Sequence, residues 1–466
     1  MVFAGILPTT GAGGTQPDIP PAFDLVQDGK RRGVSILRGA HLHARRLRAC
    51  QRYTRNHARP FEIERTTRHG GSRFLLMRLI SPLLKNVIYP LLSTSGYFRC
   101  IAGRGVLSVV TYHGVLPEGY QPLDSFLDGN LISAQSMRRQ LRCLKANYQV
   151  VSPEDVLAWL KYGERLPPRA VLLTCDDGLL NNLTDMVPIL REEGLPCLFF
   201  VTGMSARDLP RMLWYEELYW ILKSAITRYL SFETLGIQAQ LGSLAQRQVL
   251  WWELVRMLSR LSTEQRDCFL ASAQQQLGSV RHDWATCEKE DLRRFFVLTR
   301  HQLQELAASG MSVGAHSVSH PVLAQKRASD ALLEMQTSRQ LLESVLGKNV
   351  WALAYPFGGP TSVIPRDIEL AERAGFECGF LNCGGGFGSS LPRFALPRIH
   401  ISSGMKVSEV DAHVSGFYRV MRGSTASSAL FTVPETRVPT WAQWQAPARD
   451  VHNRYDAAEY DTSYVR

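Results

Sequence analysis

From about residue 105 to residue 401 the chain alternates short apolar runs with amphipathic helical stretches, and this alternation most narrows what it can become. A strand covered on both faces reads as an unbroken apolar run, and strands separated by helices pair in parallel. The strand candidates are VLSVVTY (106–112), YQVV (148–151), AVLLTC (170–175), CLFFV (197–201), MSVGA (311–315), VWALAY (350–355), ECGFLN (377–382) and ALPRIHI (395–401). Helix signals fall between them. Ser152 caps a helix opened by Pro153, Thr184 opens one that Gly194 closes, and a stripe of Leu332, Leu333, Met335, Leu342 and Val345 ends at Gly347. The pattern specifies a βα-repeating α/β fold.

Residues 206–298 break the rhythm, with helical stretches such as RMLWYEELYWILKSA and QRQVLWWELVRML and no convincing strand. They read as a helical insertion between two βα units. Trp214, Trp220, Trp251 and Trp252 suit a sugar-stacking wall by chemistry, but their helical spacing favours core packing.

Several strand candidates end in polar groups: His113 after the first, Asp176 and Asp177 after AVLLTC, His316 after MSVGA, and Arg398 and His400 within the last. In a β/α barrel the C-terminal strand ends meet at one face, where active sites form. Two adjacent carboxylates at the end of a buried strand repel each other unless something positive lies beside them. HSVSH (316–320) spaces two imidazoles as i and i+4, which on a helical turn share a face. Two histidines and one carboxylate form a Zn²⁺ ligand set with a position open for water. Each element alone is weak; two surface histidines explain most HxxxH matches.

TCDDG (174–178), GAHSVSH (314–320), AYPFG (354–358) and LPRIH (396–400) occur in order at strand ends, with YHGV (112–115) and GLPCLFFVTG (194–203) among them. Over about residues 106–402 the chain resembles the polysaccharide deacetylases, the NodB-homology group of N-deacetylases. The resemblance implies an irregular or incomplete (β/α) barrel over 106–415, with the insertion at 206–298. It implies that Asp177, His316 and His320 hold a divalent metal, most often Zn²⁺, and that Asp176 is the general base on the bound water. The metal lowers that water's pKa from about 15.7 towards about 7. The backbone N–H of Phe357 would hold the oxyanion, and His400 would protonate the departing amine. The implied substrate is a poly- or oligosaccharide bearing N-acetyl groups. Two features depart from the family: no arginine precedes Pro356 in 346–355, which leaves Arg398 to orient Asp176, and no Asp/Trp motif lies near 367–383. His113 reads either as a capping residue or as a substrate contact. Alternative functions are hydrolysis of another C–N bond, in a cyclic amide or purine derivative, and non-catalytic glycan binding; the retained ligand set disfavours the last.

Residues 1–76 hold 13 Lys/Arg against 5 Asp/Glu, a net +8 of the chain's +11. The basicity therefore belongs to this Arg-rich segment, which is expected to be disordered. Met77 reads as a more natural beginning, and the alternative to a genuine basic arm is that residues 1–76 are upstream sequence translated from a misplaced start. Such an arm suits an anionic membrane surface or nucleic acid, though no specific nucleic acid is expected. The entry segment 77–105 is broken by Arg78, Pro82, Lys85 and Pro90, too short for a span but able to lie on a membrane or pack on the body. Nothing reads as a secretory signal, and nine cysteines without a CxxC pair fit a reducing, cytoplasmic setting. The tail 416–466 carries no assigned chemistry.

Overall fold

A computed structural model describes residues 82–103, 107–122, 128–232, 237–279, 285, 287–359, 362–383, 386–387 and 392–418. The readings of residues 1–76 and of the tail beyond 418 lie outside these residues. The chain divides into two units, Met1–Pro60 with Phe232–Ile237, and Phe61–Ser231 with Gln238–Arg466. The site belongs to the second.

The strands are β1 (Leu107–Tyr112), β2 (Gln149–Val150), β3 (Ala170–Cys175), β4 (Leu198–Val201), β5 (Tyr229–Phe232), β6 (Ile237–Gln240), β7 (Ser312–Ala315), β8 (Ala352–Ala354), β9 (Cys378–Phe380), β10 (Gly386–Phe387) and β11 (Ile399–His400). The main sheet runs β10-β1-β3-β4-β7-β8-β9, with β11 also on β1 and β2 on β3. Every pairing in it is parallel except β10 on β1. The result is a curled parallel sheet wrapped by helices, the βα-repeating fold that the alternation implies and the irregular barrel that the resemblance implies.

Residues 393–401 bridge the gap between the last strand and the first. Gly379 N–H donates to the Arg393 carbonyl, Leu396 N–H to Gly379 and Leu381 N–H to Leu396. A few residues later Ile399 and His400 stand opposite Val110 and Thr111 of β1. This crossing carries Arg398 and His400 in among the strand ends.

The period of two along each strand sorts the side chains. Leu107, Val109, Leu172, Leu198, Phe200, Ala352, Ala354, Phe380 and Leu396 form one buried cluster. The intervening Val110, Tyr112, Leu173, Phe199 and Val201 pack with helix residues Met137, Leu141, Leu190, Leu306 and Leu342 in another. The first is the inner face, the second the layer under the helices. Continued two residues at a time, the inner face turns polar: Val109 leads to Thr111 and His113, Leu172 to Thr174 and Asp176, and Leu396 to Arg398 and His400. The site is therefore the polar end of the apolar core.

Local signals explain the helices. Ser152 and Asp155 form a reciprocal capping box on Pro153–Tyr162, which ends at Gly163 with φ 71°. Three expectations need correction. The helix expected from Thr184 already runs at Leu180, with a π-helical turn over Asn182–Met186; the Thr184 hydroxyl donates to the Leu180 carbonyl at 3.2 Å. The insertion, expected to hold no strand, contains β5 and β6, whose four residues each give too short a pattern to separate from helix. β10 lies in a glycine-rich stretch where no side-chain pattern marked a strand.

The described part of the entry segment packs on the body. Tyr89 and Phe98 are buried against Ala412, and Lys85 pairs with Glu409 at 3.0 Å. Among the described residues no helix is long and apolar enough to cross a membrane. Among the described residues Cys100, Cys143, Cys175, Cys197, Cys268 and Cys378 are free thiols.

Candidate metal and acid–base site

Asp177, His316 and His320 are each buried, and one ligand atom from each lies within 4.8 Å of the others. Asp177 Oδ1 sits 3.5 Å from His316 Nε2 and 3.3 Å from His320 Nε2. Backbone conformation aims them. Asp177 takes φ 74° and Gly178 φ 69°, so the chain reverses hand at the end of β3 and turns the second carboxylate away from the first. A Cβ at Gly178 would lie 2.8 Å from Val201 Cγ1, so the turn requires glycine twice over.

The two histidines converge by a different route from the one expected. Residues 316–320 are not helical. Ser317 (φ 59°) and His320 (φ 51°) are left-handed, and the His320 N–H donates back to Ser317 Oγ at 3.1 Å. Glu334 cradles the bend, accepting from the N–H groups of Val318 and Ser319, each at 2.9 Å. The spacing of four thus works through a tight bend, because the left-handed residues fold the loop back on itself.

His316 Nδ1 lies 2.8 Å from the Ala354 carbonyl, which fixes the tautomer that leaves Nε2 as a lone-pair donor facing Asp177. Burial pulls the His320 imidazole down towards its neutral, ligating form. For His316 burial is outweighed by the carboxylates, which raise it. Burial pushes the Asp177 carboxyl up, but hydrogen bonds from both histidines hold it well below the usual carboxylate range. Two imidazole nitrogens and one carboxylate oxygen, all buried and converging, suit a divalent metal of the Zn²⁺ kind.

Asp176 faces Arg398. Arg398 Nη1 donates to Oδ1 and Nη2 to Oδ2, both at 2.6 Å, in a bidentate fork. The guanidinium is fully buried and also bonds Thr111 Oγ1 at 3.1 Å and the Leu381 carbonyl at 3.1 Å. Its Cζ lies 5.3 Å from the Phe200 ring centre. Burial would raise the Asp176 pKa, but Arg398 lowers it and keeps the group ionised. His113 and His400 stand edge to face, ring centres 4.9 Å apart, each with a buried, unpartnered Nδ1. Burial, then the His113 imidazole, lowers the His400 pKa to about 3. Phe357 is left-handed at φ 61°, and its ring lies 4.8 Å from that of His320. All eight residues singled out in the sequence therefore belong to one end of the ring.

Sequence reasoning missed the contribution of the insertion. The helix Trp214–Lys223 begins against the triad: Trp214 Nε1 donates to the His320 carbonyl at 3.0 Å, and the Tyr215 hydroxyl lies 3.4 Å from Asp177 Oδ2. The only available signal was an aromatic pair at the start of the first helix of the insertion. Trp214 and Trp251 are buried, as their helical spacing indicated.

A family model described as polysaccharide deacetylase matches residues 277–379. YxkH of Bacillus subtilis (strain 168), whose name places it among the polysaccharide deacetylases, is 26% identical over 267 residues. That alignment covers 57% of this chain and spans 64% of the length of the relative. Among solved structures, the Streptococcus pyogenes deacetylase PplD in complex with acetate aligns over 67% of this chain and 99% of its own, at 18% identity and TM-score 0.43. IcaB from Ammonifex degensii aligns over 67% of this chain and 98% of its own, at 19% identity and TM-score 0.42. Over these stretches the chain is similar to the polysaccharide deacetylases.

Proposed function

We propose that this protein is a metal-dependent N-deacetylase of an N-acetylhexosamine-containing poly- or oligosaccharide. The observation that carries the reading is the pair of adjacent carboxylates put to different uses: Asp177 faces two imidazoles, while Asp176 is gripped by Arg398. When bound at Asp177, His316 and His320, a cation such as Zn²⁺ supplies Lewis acidity and a water acidic enough to attack at neutral pH.

Asp176, kept ionised by Arg398, takes the proton of the attacking water. The Phe357 N–H, in the turn after β8, donates to the oxygen of the tetrahedral centre. His400, neutral at rest, gains basicity as negative charge grows on the substrate, takes up the proton that Asp176 removed from the water and passes it to the departing amine. His113, edge to face with His400, contacts the substrate or product from the same side. Peripheral membrane contact belongs to the same proposal. Leu83, Val87 and Leu91 recur every four residues and are 53%, 43% and 61% exposed, on a segment whose charged residues from 77 to 103 are Arg78, Lys85 and Arg99. Failure to co-sediment with phosphatidylglycerol vesicles would remove that part.

The central test is acetate release from N-acetylglucosamine oligomers by purified protein, before and after chelation and Zn²⁺ replacement, beside a panel of cyclic amides. Acetate release that is lost with the metal and restored by it is expected. Turnover of the cyclic amides alone would favour the other C–N hydrolase reading.

A further inference from the structure

The insertion does more than pack beside the ring. We propose that its first helix is part of the metal site, with Tyr215 and Trp214 as positioning residues for Asp177 and His320. This rests on the metal-dependent reading above and deepens it.

Asp177 directs Oδ1 at both imidazoles, which leaves Oδ2 as a buried carboxylate oxygen that needs a donor. The Tyr215 hydroxyl is placed to give it one, at 3.4 Å. Held there, Oδ2 is engaged by Tyr215, and Oδ1 is the oxygen that would face a cation beside the imidazoles. The Tyr215 ring also lies 5.2 Å from the His320 ring and 5.9 Å from that of Phe357, so it walls the site on the side of the insertion. Trp214 acts on the other ligand. His320 has a left-handed backbone, a conformation that a non-glycine residue keeps only when its surroundings hold it. The bond from Trp214 Nε1 to the His320 carbonyl is one such hold.

The aromatic pair is itself braced. Arg266 lies 4.8 Å over the Trp214 ring, Trp251 Nε1 donates to the Tyr215 carbonyl at 2.9 Å, and Glu216 bonds the buried Arg294 at 3.2 Å. Arg294 in turn bonds Asp128, beyond β1, at 2.7 Å. Three consecutive residues therefore each carry a contact: Trp214 to His320, Tyr215 to Asp177, and Glu216 to Arg294, which in turn ties the insertion to Asp128 outside it. Groups that orient metal ligands from behind typically change metal affinity 10- to 100-fold when removed.

The experiment compares wild type, Tyr215→Phe and Trp214→Phe for Zn²⁺ affinity by chelator competition, with thermal melting of the metal-free proteins and acetate-release kinetics alongside. Tyr215→Phe keeps the ring and removes only the hydroxyl. The expected result is about 10- to 100-fold weaker Zn²⁺ binding with an unchanged melting temperature. A smaller loss in the same direction is expected for Trp214→Phe. Wild-type affinity in Tyr215→Phe, or a rise in KM with metal affinity untouched, would overturn the proposal and assign Tyr215 to substrate contact. Absence of Zn²⁺ binding by wild type would remove the metal reading itself, a result distinct from equal binding by wild type and variant.

Discussion

The strand ends of the ring and the first turn of the insertion both reach Asp177 and His320, but by different means. The ring supplies the groups themselves, on a scaffold of strands in which all six residues of β1 and all six of β3 are buried. Their positions follow from the period-two continuation of an apolar face into polar residues. Among the described residues the insertion supplies no candidate ligand or base, only a hydroxyl, an indole N–H and aromatic walls. Its helices are held by capping boxes, by buried apolar side chains such as Leu218, Leu222, Leu254 and Phe269, and by the Glu216–Arg294–Asp128 ion chain rather than by the main sheet. Groups placed on the ring are anchored by many neighbours, whereas the insertion reaches Asp177 and His320 through a few contacts.

The largest effect should come from breaking the ring side. Asp177→Ala, or His316→Ala, should abolish tight Zn²⁺ binding and cut acetate release by about 10³-fold or more, since several kcal/mol of Lewis-acid stabilisation go with the metal. Metal analysis of the purified variants beside the rate checks it; a variant retaining both metal and rate would remove the triad from the chemistry. Asp176→Asn should retain the metal and lose about 10²–10⁴-fold in rate, the scale of a general base. His400→Ala should lose about 10²-fold or more, again with metal retained. If only this last variant stays active, His113 is the next acid to test.

On the insertion side the expected effects are on stability. Burial outweighs Arg294 and raises the Glu216 pKa from 4.5 to about 7. Between those values the folded protein keeps a proton that the unfolded chain has released, so stability falls as pH rises through that window and then levels. The size is on the order of a few kcal/mol, at about 1.4 kcal/mol per unit. Glu216→Gln should flatten that limb, read by denaturant unfolding at pH 5 and pH 8; an unchanged slope would show that Glu216 titrates normally. The smallest effect is expected at the N-cap of Thr263–Leu277, where Ser262 and Gln265 form a capping box. Ser262→Ala should cost about 1 kcal/mol, seen as a small drop in melting temperature, with metal affinity and rate unchanged.

Legibility followed the same division. Asp176, Asp177, His113 and His316 stand directly after apolar runs, and an abrupt change from buried to polar is visible in a linear sequence. HSVSH was legible in its residues but not in its shape, because the left-handed Ser317 and His320 have side chains that do not announce such backbone. The Ala354 carbonyl that orients His316 was illegible in principle, since every residue carries one. Tyr215 was hidden differently: an aromatic beside tryptophans on an amphipathic helix carries the signature of core, and here the same residue packs and donates.

What the sequence determined by itself was the alternation of strand and helix, the inner face of each strand and the identity of the groups at its polar end. These are local properties, written in periods of two and about 3.6 residues, and they survive without knowledge of partners. Tertiary structure decided which groups meet. The crossing at residues 393–401 brings Arg398 from the end of the domain to Asp176 on the third strand, 222 positions away in sequence. The insertion folds back so that Tyr215 and Trp214 lie against Asp177 and His320, from two different strand ends. Such meetings depend on how the sheet curls and where a long excursion returns, and no local period encodes either.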